Sequence, residues 1–258
     1  MSIQIVLQKT SFVDFPGKIS AVFFFPGCNL RCPWCHNREL VTGGLAAGGA
    51  KNLVSIEDGL AYLKKRRSVL GGAVLSGGEP CLREELPGLV GEIKKYSLPV
   101  KLDTNGMFPA ALENLFTRED ARPDYIALDL KLAPERYGEL LPGKGSSAPA
   151  SITADSSTTG SRFEPGEALK QSAALVRRSG IAHEYRTIVL PGGFLTEADI
   201  EALAPLADDA PWFFRPFRGG NCLDQTWDSL EETAAQARSR AETLAEKAKT
   251  LKKNVIIL

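Results

Sequence analysis

Ser20-Ala21-Val22-Phe23-Phe24-Phe25-Pro26-Gly27-Cys28-Asn29-Leu30-Arg31-Cys32-Pro33-Trp34-Cys35-His36-Asn37 is the stretch on which the reading of the chain turns. Its first six residues form a short apolar, aromatic-rich run closed by Pro-Gly, the pattern of a buried strand. Three cysteines follow as Cys28-x3-Cys32-x2-Cys35 on the loop that leaves the strand. Thiols crowded this closely are poorly spaced for a disulfide framework and suited to one metal centre in a reducing compartment. Thiolate sulfur is the ligand of iron–sulfur clusters, and three such ligands on a four-iron cluster leave one iron open, as a catalytic centre requires. Two plainer readings stay open on these residues alone: a zinc site completed by His36, and buried, inert cysteines. A second separated cysteine pair, usual in zinc sites, is missing from the sequence.

Outward from this stretch, β-rich runs alternate with helical ones. Ser20–Phe25, Ala73–Ser76, Pro99–Asp103, Tyr125–Leu130, His183–Leu190 and Trp212–Phe217 read as strands. Ser55 with Asp58 starts a helix through Lys65; Pro165 opens another that ends at Gly180; Thr196 with Asp199 starts a third. Right-handed βα crossovers then curl six such units into a doubly wound sheet or a partial barrel, with the strand ends on one rim. The 258 residues carry 31 basic and 31 acidic side chains, which removes the electrostatic case for a nucleic-acid or membrane-surface binder. The apolar run Ala21–Phe25 is far short of a membrane span, so a cytoplasmic protein with no membrane partner is expected.

The cysteine spacing, with an aromatic residue just before the last cysteine, resembles the signature of the radical S-adenosylmethionine superfamily. Ser76-Gly77-Gly78-Glu79-Pro80, at the end of the second strand, resembles that superfamily's GGEP motif. Asp103-Thr104-Asn105-Gly106 and Asp129-Leu130-Lys131, ending the third and fourth strands, resemble motifs of its glycyl-radical-enzyme activating branch. Val13-Asp14-Phe15-Pro16-Gly17-Lys18, Arg215-Pro216-Phe217 and Cys222-Leu223-Asp224 are similar to pieces of the activating proteins of anaerobic ribonucleoside-triphosphate reductase. The resemblance implies an α/β partial (β/α)6 radical-SAM barrel, formed by residues 1–258 as one domain.

It further implies one 4Fe-4S cluster on Cys28, Cys32 and Cys35, and S-adenosylmethionine held by Trp34, Gly77, Gly78, Glu79, Asp103, Thr104, Asn105, Asp129, Lys131 and Arg186. The glycines are expected to let the backbone approach the cofactor's amino group, and Glu79 to accept from it. Asp103, Thr104 and Asp129 match positions that, by the same resemblance, hold a monovalent cation. Arg186 is left between a cofactor contact and a structural ion pair with Glu184. The implied activity is reductive cleavage of S-adenosylmethionine to a 5′-deoxyadenosyl radical that abstracts a glycine Cα hydrogen from a glycyl radical enzyme, anaerobic ribonucleoside-triphosphate reductase above others. An electron donor such as flavodoxin or ferredoxin is the second implied partner. A small-molecule or nucleoside enzyme resembling deazaguanine synthases, and a non-catalytic iron–sulfur or zinc module, are the alternatives.

Two features fall outside the resemblance, an insertion and a C-terminal helix. Residues 138–164 are rich in Gly, Ser, Ala, Thr and Pro and read as a mobile insertion. Leu230, Ala234, Ala237, Ala241, Leu244, Ala248 and Leu251 place one long amphipathic helix at 228–253, capped by Asp228 and Glu231, as a cover over the barrel's open side or, on the other reading, a coiled-coil seam. Cys81 reads as a small residue packed near the cofactor, and Cys222 as a rim residue within reach of a polypeptide substrate; no auxiliary cluster is expected from these two. His36 and His183 are assigned no catalytic role.

Overall fold

The computed structural model describes residues 4–42, 52–143, 163–230, 233–252 and 254–258. Nine strands form one sheet in the order β3-β1-β2-β4-β5-β6-β7-β8-β9. The six expected strands are β2 (Lys18–Phe25), β4 (Gly72–Gly77), β5 (Val100–Thr104), β6 (Tyr125–Asp129), β7 (Ala182–Val189) and β8 (Trp212–Pro216). They pair in parallel from β2 to β8, so their C-terminal ends share one rim.

Three strands extend the expected six. β1 (Gln4–Phe15) turns through Pro16-Gly17 and pairs antiparallel with β2, and β3 (Leu53–Ser55) pairs with the start of β1. β9 (Val255–Ile257) adds in parallel to β8. Pairing runs from β3 to β9 without joining these ends among the described residues, so the sheet is a barrel left open on one side. The curl is visible inside it: Phe15 of β1 lies 5.9 Å, ring to ring, from Tyr125 of β6. With Val22, Phe24 and Val74 they form a small inner apolar plug.

Two larger apolar layers cover the outside. α2 (Ile56–Arg66) starts where Ser55 accepts from the Asp58 amide, as its sequence requires, and Gly59 lets it sit against the sheet. A Cβ on Gly59 would fall 2.8 Å from the Phe23 ring. α3 (Leu86–Lys94), α4 (Pro109–Thr117), α5 (Pro165–Arg178) and α6 (Glu197–Leu203) are the other crossovers, α6 with the expected Thr196–Asp199 capping box. A short helix, α1 (Arg38–Thr42), follows the cysteine loop.

The C-terminal helix departs from expectation in start and role. α7 (Ala234–Leu251) is capped by Thr233 with Gln236. Asp228 instead accepts from the Gly220 and Cys222 amides and holds a turn, while Glu231 lies outside the described residues. α7 joins β8 to β9 as one more crossover, with Ala237, Ala241, Leu244, Ala245 and Ala248 buried in the outer core beside α6. It therefore lies on the outer face of the sheet and not across the opening. Its small-residue stripe is consumed within the chain, and Leu230 and Leu251, needed for a seam, stay exposed. Of the insertion at 138–164, residues 138–140 complete a 3-10 helix, Pro134–Leu140, and residues 144–162 lie outside the described part. No helix among the described residues is long and apolar enough to cross a membrane.

Candidate active site

Parallel pairing sets the register of the site. β2 and β4 end side by side, Phe25 opposite Gly77, so the cysteine loop and the GGEP segment leave the sheet together. The Gly78 amide donates to Phe25 O at 2.8 Å and the Glu79 amide to Gly27 O at 2.9 Å. This closeness is why both positions are glycine: a Cβ on Gly77, at φ +117°, would sit 2.3 Å from Phe25 N, and one on Gly78 would sit 1.8 Å from Gly27 O. The demand seen here comes from the chain's own backbone, where the sequence had suggested room for a cofactor.

The cysteine loop is held from both sides. Asn37 Nδ2 donates to Gly77 O at 2.9 Å, and the Arg31 guanidinium donates to Cys28 O and Leu30 O. From the last rim loop, the Asp224 amide donates to Pro33 O at 2.9 Å and Asn221 Nδ2 to His36 O. Cys28 and Cys32 are buried and Cys35 is half-buried. Burial pushes the Cys28 thiol up to about 12 and the Cys32 thiol to about 11, so without a metal both are protonated at neutral pH. The Leu30 amide points at Cys28 Sγ, 3.4 Å away, a contact that favours the thiolate a metal would need.

His36, which would complete a zinc site, has its Nε2 engaged with Arg218 O at 2.6 Å. A cluster instead uses each thiolate on a different iron.

Glu79 is fully buried, and its oxygens are nearly filled from inside the fold. Oε1 accepts from the Cys81 amide (3.0 Å) and from Thr104 Oγ1 (2.9 Å), and Oε2 from the Asn105 amide (2.7 Å). Burial pushes its carboxyl above the usual range, and the donors from Asn105, Cys81 and Thr104 pull against it. Of roughly four acceptor positions on a carboxylate, one on Oε2 stays open for a ligand donor. Asn105 ties this hub to the cysteines: its Nδ2 donates to Asn29 Oδ1 at 2.8 Å and lies 3.7 Å from Cys28 Sγ.

The inner faces of β5, β6 and β7 carry a ladder of charges. Asp129 and Arg186 are register partners; Arg186 Nε donates to Asp129 Oδ1 at 2.9 Å, and an Arg186 NH group reaches Asp103 Oδ2 at 3.2 Å. Lys131 Nζ lies 2.9 Å from Asp129 Oδ2, and Lys101 Nζ lies 2.7 Å from Asp103 Oδ1 and 3.7 Å from Glu184. Burial alone would raise the Asp129 carboxyl, but the Arg186 and Lys131 charges outweigh it and hold it far below the carboxylate range; Asp103 is lowered in the same way by Arg186 and Lys101. The sequence left Arg186 between cofactor and Glu184, and in the structure its partners are Asp103 and Asp129.

All thirteen predicted site residues, from Cys28 to Arg186, line one cavity of about 320 Å³ at the strand ends. Trp34 borders it and packs edge-on against Phe194 and at a tilt against Trp227, so an aromatic wall closes the cluster side. Sequence reasoning missed Lys101, Asn29 and the Phe194 and Trp227 part of this wall, and also Asp14, Ile188 and Arg215, which line the same cavity; Glu184, expected beside Arg186, lies 3.7 Å from Lys101. Cys81 is buried with its thiol 3.7 Å from Thr104 Oγ1. Cys222 is fully buried as well, because its segment folds back onto Asp228, and so it does not face a substrate. His183 pairs with Asp208 at the opposite end of β7 from the rim.

The family model of the radical SAM superfamily matches residues 22–207, which contain all thirteen residues. Over 229 residues, 85% of this chain and 82% of the relative, the sequence is 28% identical to a Methanocaldococcus jannaschii protein provisionally named as a glycyl-radical enzyme activating enzyme. It is 30% identical to the pyruvate formate-lyase-activating enzyme of Clostridium pasteurianum over 54% of this chain and 56% of that one. It is 35% identical to the 7-carboxy-7-deazaguanine synthase of Hyperthermus butylicus over 37% and 38%. With the thiols, the open oxygen of Glu79 and the charge ladder around one cavity, the residues fit the superfamily's two cofactors, a 4Fe-4S cluster and S-adenosylmethionine. On this evidence the chain belongs to the radical SAM superfamily.

Proposed function

We propose that the chain is the activating enzyme of a glycyl radical enzyme, abstracting a glycine Cα hydrogen from a partner protein, and that the partner is anaerobic ribonucleoside-triphosphate reductase. The carrying observation is the similarity to the Methanocaldococcus jannaschii protein, which runs over most of both chains; the deazaguanine synthase match covers little more than a third of this one. In this reading Cys28, Cys32 and Cys35 would hold the cluster, with S-adenosylmethionine bound beside it in the same cavity. The chemistry supplied there is one-electron reductive cleavage of the sulfonium, giving methionine and a 5′-deoxyadenosyl group able to take a hydrogen atom.

The chain's own side chains bind and orient. Glu79 Oε2 accepts from the cofactor's amino group while its other bonds fix the loop positions of Cys81 and Asn105. Arg186 and Lys131, each already turned toward Asp129, present donors for the ribose and carboxylate. The aromatic wall of Trp34, Phe194 and Trp227 keeps water from the cluster side. A low-potential donor of the flavodoxin or ferredoxin class feeds the cluster, which suits a cytoplasmic setting.

The test is anaerobic: the reconstituted, reduced protein is mixed with S-adenosylmethionine and anaerobic ribonucleoside-triphosphate reductase, and the electron paramagnetic resonance spectrum is recorded. A glycyl-radical signal that grows with 5′-deoxyadenosine is expected. Nucleoside without that signal rejects this partner and turns attention to other glycyl radical enzymes and to small molecules.

A further inference from the structure

The resemblance that brings Asp103, Thr104 and Asp129 together brings with it the expectation of a monovalent cation among their oxygens. In this chain each of the four carboxylate oxygens already faces a cationic side chain. Asp103 Oδ1 lies 2.7 Å from Lys101 Nζ, and Oδ2 accepts from Ser76 Oγ at 3.0 Å and faces Arg186 at 3.2 Å. Asp129 Oδ1 and Oδ2 take Arg186 and Lys131, both at 2.9 Å. Thr104 Oγ1 is turned away, donating to Glu79 and accepting from the Gly106 amide.

Charge count decides the matter. The ladder sets three cations, Lys101, Lys131 and Arg186, against three carboxylates, Asp103, Asp129 and Glu184. Glu184 is also bound by the Tyr125 hydroxyl at 3.0 Å. A further cation set among these would meet three neighbouring positive charges in a poorly solvated space where every carboxylate of the ladder already has a cationic partner. Lys101 is 1% exposed, and a lysine is almost never buried to that degree without a charge partner. Its ammonium stacks above the Tyr125 ring as well, 6.0 Å from the centroid.

We infer that this enzyme needs no monovalent cation beside its cofactor, because side chains of the barrel already neutralise the carboxylates that would hold one: Arg186 and Lys131 at Asp129, and Arg186 with the buried Lys101 ammonium, itself fixed by Glu184, at Asp103. Lys101 is then a positioning residue: it orients Asp103, which in turn orients Arg186 at the cofactor. The inference rests on the use of S-adenosylmethionine by the superfamily and not on the identity of the partner, and its readout involves no partner.

The experiment measures S-adenosylmethionine binding to the cluster-loaded protein by anaerobic equilibrium dialysis, in potassium chloride and in tetramethylammonium chloride of equal ionic strength. The wild-type dissociation constant is expected to differ by less than about twofold between the two salts. Tightening by about fivefold or more in potassium would overturn the inference. The wild-type comparison needs no variant, so it stands even if variants fold poorly. Lys101→Met combined with Glu184→Gln keeps the buried charges in balance, and this variant is expected to bind about tenfold more weakly in tetramethylammonium and to recover in potassium. Binding by the double variant that equals wild type in both salts would count against Lys101.

Discussion

Glu79 takes hydrogen bonds on both oxygens, and all three donors belong to its own fold. Replacing it with Gln places an amide N–H2 against one of those donors, so Glu79→Gln is expected to cost about 1–3 kcal/mol of stability in chemical denaturation, besides weakening S-adenosylmethionine binding. An unchanged unfolding midpoint would contradict the hub role. Arg186 bridges two buried carboxylates, and Arg186→Met leaves Asp103 and Asp129 with less positive charge than they need. A loss of about 3–5 kcal/mol is expected, because an uncompensated buried charge costs more than the pair contributes. The thirteen expected residues of the cavity were readable from sequence because each sits in or beside a short motif at a strand end. Lys101 was not: a lysine between Val100 and Leu102 reveals its inward face only once the curl of the sheet is known.

At the scale of elements, close backbone approach at the β2–β4 rim makes a sharper demand than helix propensity does anywhere. Gly78→Ala would drive a methyl into Gly27 O, so the cysteine loop must shift; loss of iron and sulfide on reconstitution is expected, with the circular dichroism spectrum retained. Full cluster loading in Gly78→Ala would show that the loop is not held there. Thr233→Ala removes the cap of α7 and is expected to cost about 1 kcal/mol in thermal or urea unfolding. Asp228→Ala should act elsewhere, by freeing the Gly220 and Cys222 amides. The sequence pattern placed the cap at Asp228 because an acid before a helical repeat looks the same whether it serves the helix or the preceding turn. β1 escaped reading for a related reason: its alternation is broken by register shifts after Gln8 and Ser11 and by exposed Phe12 and Val13. β3 and β9 are too short to carry a period.

Over the whole molecule, the barrel is lined by ion pairs above a small apolar plug, and its stability should follow those pairs with pH. Asp129 and Asp103 are held below the usual carboxylate range by Arg186, with Lys131 and Lys101 adding to the effect, against burial that would raise them. A depressed folded-state value means that the stabilisation is present above the unfolded value of about 3.9 and is lost as pH falls through the folded value. Melting temperature should therefore owe nothing to these two groups' titration between about pH 5 and 8 and should fall below about pH 4. In Arg186→Met the fall should begin at higher pH; coincident acid limbs for variant and wild type would contradict the ladder.

The same cavity brings the cluster loop, the Glu79 hub and the charge ladder within reach of one ligand, and the proposed reaction sends a hydrogen atom from a partner's glycine into that ligand. The most direct test is isotopic: anaerobic ribonucleoside-triphosphate reductase is produced with deuterated glycine, activated by the reduced protein, and the 5′-deoxyadenosine is weighed by mass spectrometry. One deuterium per nucleoside, appearing with the glycyl-radical signal, is the predicted result. Unlabelled nucleoside, formed at the same rate with and without the partner, would contradict it.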